Sequence, residues 1–122
     1  MTNEGLSTEA RMLKLVRLLH AKTQAGELQW ERTAYLNNFQ SSFPSYVVRV
    51  SMKQGEADAG PDYYVAIRDQ EGTLIERAGD ADIERAVPNS RAFVLMGELY
   101  SMARRQALGV NQALDSLLSE LE

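Results

Sequence analysis

His20 is the only histidine of the chain, and histidine is the side chain whose charge changes most readily near neutral pH. A histidine that activates a nucleophile needs a serine or cysteine beside it and a third group that orients the ring. The chain has no cysteine, which excludes thiolate catalysis, zinc–thiolate sites and disulfides. Because His20 lies between Leu19 and Ala21 in an amphipathic segment, we predict that it borders the core.

Acidic residues concentrate in two segments that could offer oxygen ligands to a cation. These are GEADAGPD at residues 55–62 and AGDADIE at residues 78–84. The second segment matches the first three oxygen positions of a calcium loop but lacks the glycine of its sharp turn. Arg91 also stands where the closing glutamate belongs. We therefore expect solvated acidic connections, with no metal site and no cofactor.

The glycines of the chain are isolated turn residues, and no glycine-rich phosphate-binding motif occurs. Since the search for catalytic motifs also fails, we expect no catalytic residues and no enzymatic activity. The predicted function is a non-enzymatic protein-interaction or regulatory module.

The composition is typical of one soluble globular domain, with 122 residues, 44% of them hydrophobic and 25% charged. We predict a single domain over residues 1–122, in which residues 1–6 form a flexible tail. The absence of cysteine fits a reducing cytoplasm, and no apolar run is typical of a secretory signal or a membrane span. We therefore expect a cytoplasmic protein that does not associate with membranes.

The chain begins and ends with helical periodicity. Ser7 or Thr8 is a good cap for a first helix that Gly26 ends. A second helix is predicted to follow a cap at Asn89 or Ser90 and to run to about Leu108, and a short last helix to follow a cap at Asn111. The apolar stripe of the first helix consists of Met12, Leu15, Val16 and Leu19.

Between these helices the pattern changes to alternation, as in YVVRVSMK at residues 46–53, where Arg49 and Lys53 lie on the polar face. Further strands are predicted at 63–68 and 73–77, with a possible strand over 39–43. The predicted fold is therefore α+β: an antiparallel three- to four-stranded meander with one N-terminal helix and two C-terminal helices packed on one face.

The segments KTQAGELQW, YYVAIRDQEGTLIE and LYSMARRQALG resemble parts of small bacterial helix–meander–helix proteins and domains of unassigned function. The similarity spans about Leu15 to Leu121. This resemblance implies the same architecture, and it carries no catalytic signature to transfer. Trp30 follows the first helix in this pattern, and we predict that its ring is buried between that helix and the sheet.

The predicted partner is another protein or a second copy of the chain, in a homodimer. The far side of the second helix carries the small residues Gly97 and Ser101 four positions apart, which would allow another helix to approach closely. Packing inside the same molecule would explain Gly97 equally well. The interface candidates are Val94, Gly97, Ser101 and Leu108.

Two alternative functions stay open. The net charge of −4 makes nucleic acid an unlikely partner, but a basic face of the first helix could still serve a nucleic-acid-associated regulator. A small-ligand-binding domain would instead need a cavity between sheet and helices, lined by Trp30, Tyr64 and Tyr100. The basic-face candidates are Arg11, Lys14, Arg17 and Lys22.

Overall fold

The computed structural model describes residues 5–57 and 59–122, so most of the tail expected over residues 1–6 lies outside the described part. The described residues form four helices and five strands. The helices are α1 (Thr8–Gln24), α2 (Asp80–Ala86), α3 (Ala92–Leu108) and α4 (Val110–Leu121). The strands are β1 (Glu31–Arg32), β2 (Asn38–Ser42), β3 (Tyr46–Gln54), β4 (Pro61–Asp69) and β5 (Leu74–Gly79).

The five strands form one antiparallel sheet whose order, β1-β2-β3-β4-β5, is the order of the chain. The α+β class is therefore confirmed, while the strand count exceeds the predicted three to four. The additional strand is β1, which pairs Glu31 with Gln40 and Arg32 with Phe39. Two residues are too few for an alternating pattern to be visible in the sequence.

Helix α3 covers one face of the sheet and contacts β1 to β4, whereas α1 makes its main contacts with α3 and α2. Val16 of α1, Val65 of β4 and Leu99 of α3 are almost completely buried in the core between these elements. At the start of α1, the Ser7 hydroxyl accepts a hydrogen bond of 3.1 Å from the Ala10 amide, as the predicted cap requires.

Trp30 is only 4% exposed, so its predicted burial is confirmed, and its hydrogen bonds join the end of α1 to α3. Its indole Nε1 donates to the Thr23 hydroxyl at 2.9 Å, and its backbone amide donates to the Gln106 side chain. Gln106 in turn donates to the Leu28 carbonyl at 3.1 Å. The indole Nε1 atom, which is the polar atom of the buried ring, therefore has a hydrogen-bond partner.

The covered face of the sheet contains an aromatic cluster. The Tyr63 ring lies 5.5 Å from the Phe93 ring and 5.7 Å from the Tyr100 ring, centroid to centroid. Gly97 makes room for Tyr63, because a Cβ atom at this position would lie 3.1 Å from the Tyr63 ring. Tyr100 donates to the Asn37 side chain at 3.2 Å, and burial raises the pKa of its phenol.

The acidic segment after β5 is a helix, α2, and not the solvated connection that we predicted. Asp80 is only 9% exposed, and its carboxylate accepts a hydrogen bond of 2.9 Å from the Tyr63 amide. Asp82 accepts from the Gly79 amide at 3.4 Å. Asp82 thus gives a partner to an amide at the start of α2, and the helix dipole favours the negative charge of both carboxylates there.

Glu84 caps the following helix from a distance. Its carboxylate accepts hydrogen bonds from the Ser90 hydroxyl at 2.7 Å and from the Ala92 amide at 3.2 Å, and these bonds lower its pKa below the ordinary value of 4.5. The cap predicted at Asn89 or Ser90 is therefore wrong. The residue that precedes α3 is Arg91, in a left-handed conformation with φ of 60°.

Helix α4 was predicted to pack on the sheet, but none of its residues is buried. Gly109, with φ of 64°, ends α3 and precedes α4, so the cap expected at Asn111 is also wrong. A left-handed residue turns the chain sharply, and glycine adopts this conformation without the steric cost of a Cβ atom. The main contact of α4 with another element is with α3.

Candidate interaction surfaces

His20 pairs with an acidic residue at the contact between α1 and α3. Its Nε2 atom lies 2.8 Å from Oε1 of Glu98, and the imidazole is largely buried while the carboxylate is more than half exposed. Ser101 lines the same shallow depression, of about 280 Å³. In the described part of the chain no hydrogen bond joins Ser101 to His20, so a serine–histidine–carboxylate chain is not assembled. The pair links the two helices at the border of the core.

The four basic-face candidates of α1 are exposed but do not form one site. Arg11 and Lys14 line a groove beside the sheet, whereas Lys22 pairs with Glu27 at 3.2 Å. Arg17 lies further round the helix, outside the lining of this groove. The four residues predicted to bind nucleic acid therefore do not form one surface. Two line a groove, one forms an ion pair and one lies apart from both.

The groove lies between α1 and the edge of the sheet and has a volume of about 540 Å³. Its apolar wall consists of Leu15 and Leu18 of α1 and of Ile67 and Ile75 of the strands. Leu18 and Ile75 are more than half exposed. Two exposed large apolar side chains, one on α1 and one on β5, therefore line the same groove.

A second apolar surface is the leucine face of α4, formed by Leu114, Leu117, Leu118 and Leu121. These side chains are between 49% and 82% exposed. Their spacing of three and four residues places them on one side of the helix. The sequence revealed this stripe, but its periodicity alone could not show whether the stripe is buried.

The α3 candidates split into two groups. Val94, Ser101 and Leu108 are exposed, with Val94 and Leu108 each 40% exposed. Gly97, in contrast, faces Tyr63 of the same chain. The close approach that Gly97 permits is therefore intramolecular. Gly97 does not lie on the far side of α3, as we predicted, but against Tyr63 of the sheet.

The opposite face of the sheet carries a surface that we did not predict as a site from the sequence. We call this surface the cationic sheet face. A depression of about 250 Å³ lies there, and every residue that lines it belongs to β2, β3, β4 or β5. Tyr64 is one of the lining residues, with the guanidinium carbon of Arg77 4.1 Å from its ring centroid. The cations in its lining are Arg49, Lys53, Arg68 and Arg77.

This position of Tyr64 overturns the expected ligand cavity. Trp30 and Tyr100 are buried on the covered side, whereas Tyr64 faces the opposite side. Successive residues of a strand point to opposite faces, so Tyr63 and not Tyr64 joins the aromatic cluster. The three predicted residues do not line one cavity.

The chain matches no protein-family model, and no curated protein and no solved structure is significantly similar to it. Among residues 5–57 and 59–122, no group of three or more acidic or histidine side chains is arranged to hold a metal ion. No helix within those ranges has the length and apolar character needed to cross a bilayer.

Proposed function

We propose that the protein is a non-enzymatic protein-interaction module that associates with a second copy of itself by exchanging helix α4. The leucine face of α4 docks in the groove beside α1 of the partner copy. The α4 helix of the partner docks in the same way in the groove of the first copy. The observation that carries this proposal is the exposure of four leucines on one side of a helix that buries nothing in its own chain.

The dimensions of the two surfaces support this pairing. The groove follows α1 from Thr8 to Leu18, which corresponds to about 15 Å along a helix axis. The leucine face runs from Leu114 to Leu121, which corresponds to about 11 Å. A helix that lays an apolar stripe into an apolar groove is a common mode of recognition.

The charges of the two surfaces are also complementary. Asp115, Glu120 and Glu122 flank the leucine face of α4, and this helix contains no basic residue. Arg11 and Lys14 line the groove beside a single acidic residue, Glu76. Opposite charges at the rim of an apolar contact set its register and accelerate association.

The same charges disfavour a contact between two α4 helices, because each helix would bring only acidic side chains to the interface. One α4 docked in one groove would also bury less than the roughly 800 Å² per partner of a stable interface. A reciprocal exchange with two-fold symmetry makes the contact twice and so doubles the buried area.

Light scattering after size-exclusion chromatography tests the proposal. The wild-type chain is expected at twice the mass of one chain, and Leu117→Lys at the mass of one chain, because a charge would enter the apolar groove. Ser116→Lys is the matched control: this residue lies on the opposite side of α4, so the dimer is retained.

A mixing experiment tests the reciprocal arrangement. Leu18→Lys, in the groove wall, should also give single chains. When the Leu18→Lys and Leu117→Lys variants are mixed, the intact α4 of the first can enter the intact groove of the second, so association partly returns. A dimer that resists Leu117→Lys, or one that ignores Leu18→Lys, contradicts the proposal.

The exposed residues Val94, Ser101 and Leu108 of α3 remain a second predicted contact surface of this module. Val94→Lys tests this surface in the same measurement of mass, and loss of the dimer is the result expected if the surface takes part in it.

A further inference from the structure

We propose that the cationic sheet face binds single-stranded nucleic acid. This function is distinct from self-association, because the residues that carry it lie on the other side of the sheet from α3. They come from three strands that the register brings together: Arg49 of β3 is opposite Ala66 of β4, which is opposite Arg77 of β5.

The four cations of this face stand out against the charge of the whole chain, which is −4. Among the described residues, the lining of the depression contains no acidic side chain. The nearest acids by register are Glu31, which accepts a hydrogen bond from Gln40, and Asp62, which is opposite Lys53. A local positive field therefore persists on an acidic protein, and such a field is what a phosphate backbone requires.

The arginines of this face are held in place by the protein. Arg49 Nε donates to the Gln40 side chain at 3.1 Å, and Gln40 donates to Glu31 at 3.0 Å. Arg68 Nη1 donates to the Gly72 carbonyl at 2.8 Å. Positioned guanidinium groups lose little freedom when they bind a phosphate, and their planar donors match its oxygens.

Arg68 also carries an unsatisfied donor. Its Nε atom is buried and has no hydrogen-bond partner, and it is the only such side-chain atom found among residues 5–57 and 59–122. Buried donors are nearly always paired, because leaving one unpaired costs free energy. A phosphate in the depression would satisfy this donor once the Arg68 side chain turns its Nε atom towards the depression.

Tyr64 provides the feature that selects a nucleic acid over other polyanions. Tyr64 lines the same depression as the four cations, and the Arg77 guanidinium group lies over its ring. An aromatic ring within a basic surface is the arrangement by which sheet proteins stack the bases of single strands. The basic face of α1 lacks such an aromatic residue.

The form of the surface favours a single strand over a duplex or an acidic peptide. A depression of about 250 Å³ is smaller than typical pockets for drug-sized ligands, but it can take one group of a polymer that crosses the sheet. Bases within a duplex are already stacked on each other, and acidic side chains have no ring to stack on Tyr64.

Fluorescence anisotropy with a labelled oligothymidine of about 12 nucleotides tests this proposal. The wild-type chain is expected to bind, with an affinity that falls steeply as salt is raised. Arg77→Gln should weaken binding about 10-fold and reduce the slope of log K against log salt by about 0.7, the value for one lost phosphate contact on a single strand. Tyr64→Leu should weaken binding at least about 5-fold without changing this slope.

Arg17→Gln is the matched control, because it removes the same charge from the exposed face of α1. It should leave binding nearly unchanged, and circular dichroism should show that all three variants are folded. Absence of binding by the wild-type chain, or equal weakening by Arg17→Gln and Arg77→Gln, would overturn the proposal. Equal affinity for a duplex, or equal competition by polyglutamate, would overturn it as well.

Discussion

Tyr63 and Tyr64 are consecutive residues of β4, yet they belong to two different environments. Tyr63 packs in the aromatic cluster under α3, within contact distance of Gly97. Tyr64 lies on the other face of the sheet, beneath the guanidinium group of Arg77. A tyrosine therefore contributes to packing on one face of the sheet and can contact a ligand on the other. The alternation of side chains along the strand decides on which face each tyrosine lies.

The two faces of the sheet also differ in what covers them. The covered face is closed by Met96, Leu99 and Ala103 of α3, which are buried. The cationic sheet face is lined by strand residues alone. We therefore expect substitutions on the covered face to change the stability of the fold, and substitutions on the cationic sheet face to change binding.

Leu99→Ala should have the largest effect on stability. Leu99 is 1% exposed, and its truncation leaves a cavity in the core, so we expect a loss of about 2–5 kcal/mol in the free energy of unfolding. Urea denaturation followed by circular dichroism measures this loss. For comparison, Tyr64→Leu on the other face should cost no more than about 1 kcal/mol, mainly the lost interaction with Arg77. Similar losses in both variants would remove the distinction between the faces.

Gly97→Leu should have an intermediate effect. Because even a Cβ atom would lie 3.1 Å from the Tyr63 ring, a larger side chain must displace the ring or shift α3. We expect a destabilisation of about 1–3 kcal/mol from overpacking, measured by the same denaturation experiment. Ser101→Leu, on the exposed side of the same helix, is the control and should change stability little. A neutral Gly97→Leu variant would contradict the packing of Tyr63 against this residue.

Glu84→Gln should have the smallest effect, and this effect should depend on pH. Because hydrogen bonds lower the folded-state pKa of Glu84, its carboxylate stabilises the fold above its unfolded pKa near 4.5, and this contribution is lost as pH falls through the lower folded pKa. The variant should therefore be slightly less stable than the wild type at pH 7, with a difference that shrinks below about pH 4.5. Melting temperatures measured from pH 7 to pH 3 check this, and a difference that does not change with pH would contradict it.

Much of the fold follows from periodicity in the sequence. The predicted strand at 46–53 corresponds to β3, and the first helix begins at its predicted cap. The stripe of α3 is buried at Met96, Leu99 and Ala103. These elements could be predicted because each has one apolar side and a length that suits its period.

Other features depend on contacts that no local pattern contains. Helix α2 has seven residues and begins with acids, and the Asp80 carboxylate accepts a hydrogen bond from the Tyr63 amide in a distant strand. The apolar stripe of α4 is as regular as that of α3, but nothing in the stripe indicates that α4 lies outside the core. The cations of the cationic sheet face come from three strands, so its charge is visible only after the strands are in register.

The strand order of the sheet has a consequence for how the chain folds. Each strand pairs with its immediate successor, so the sheet can assemble hairpin by hairpin with short loops to close. The contact of His20 in α1 with Glu98 in α3 joins residues 78 positions apart, so docking of α1 requires a much longer closure than any hairpin of the sheet. We therefore expect docking of α1 to be the late step of refolding, after the meander has formed.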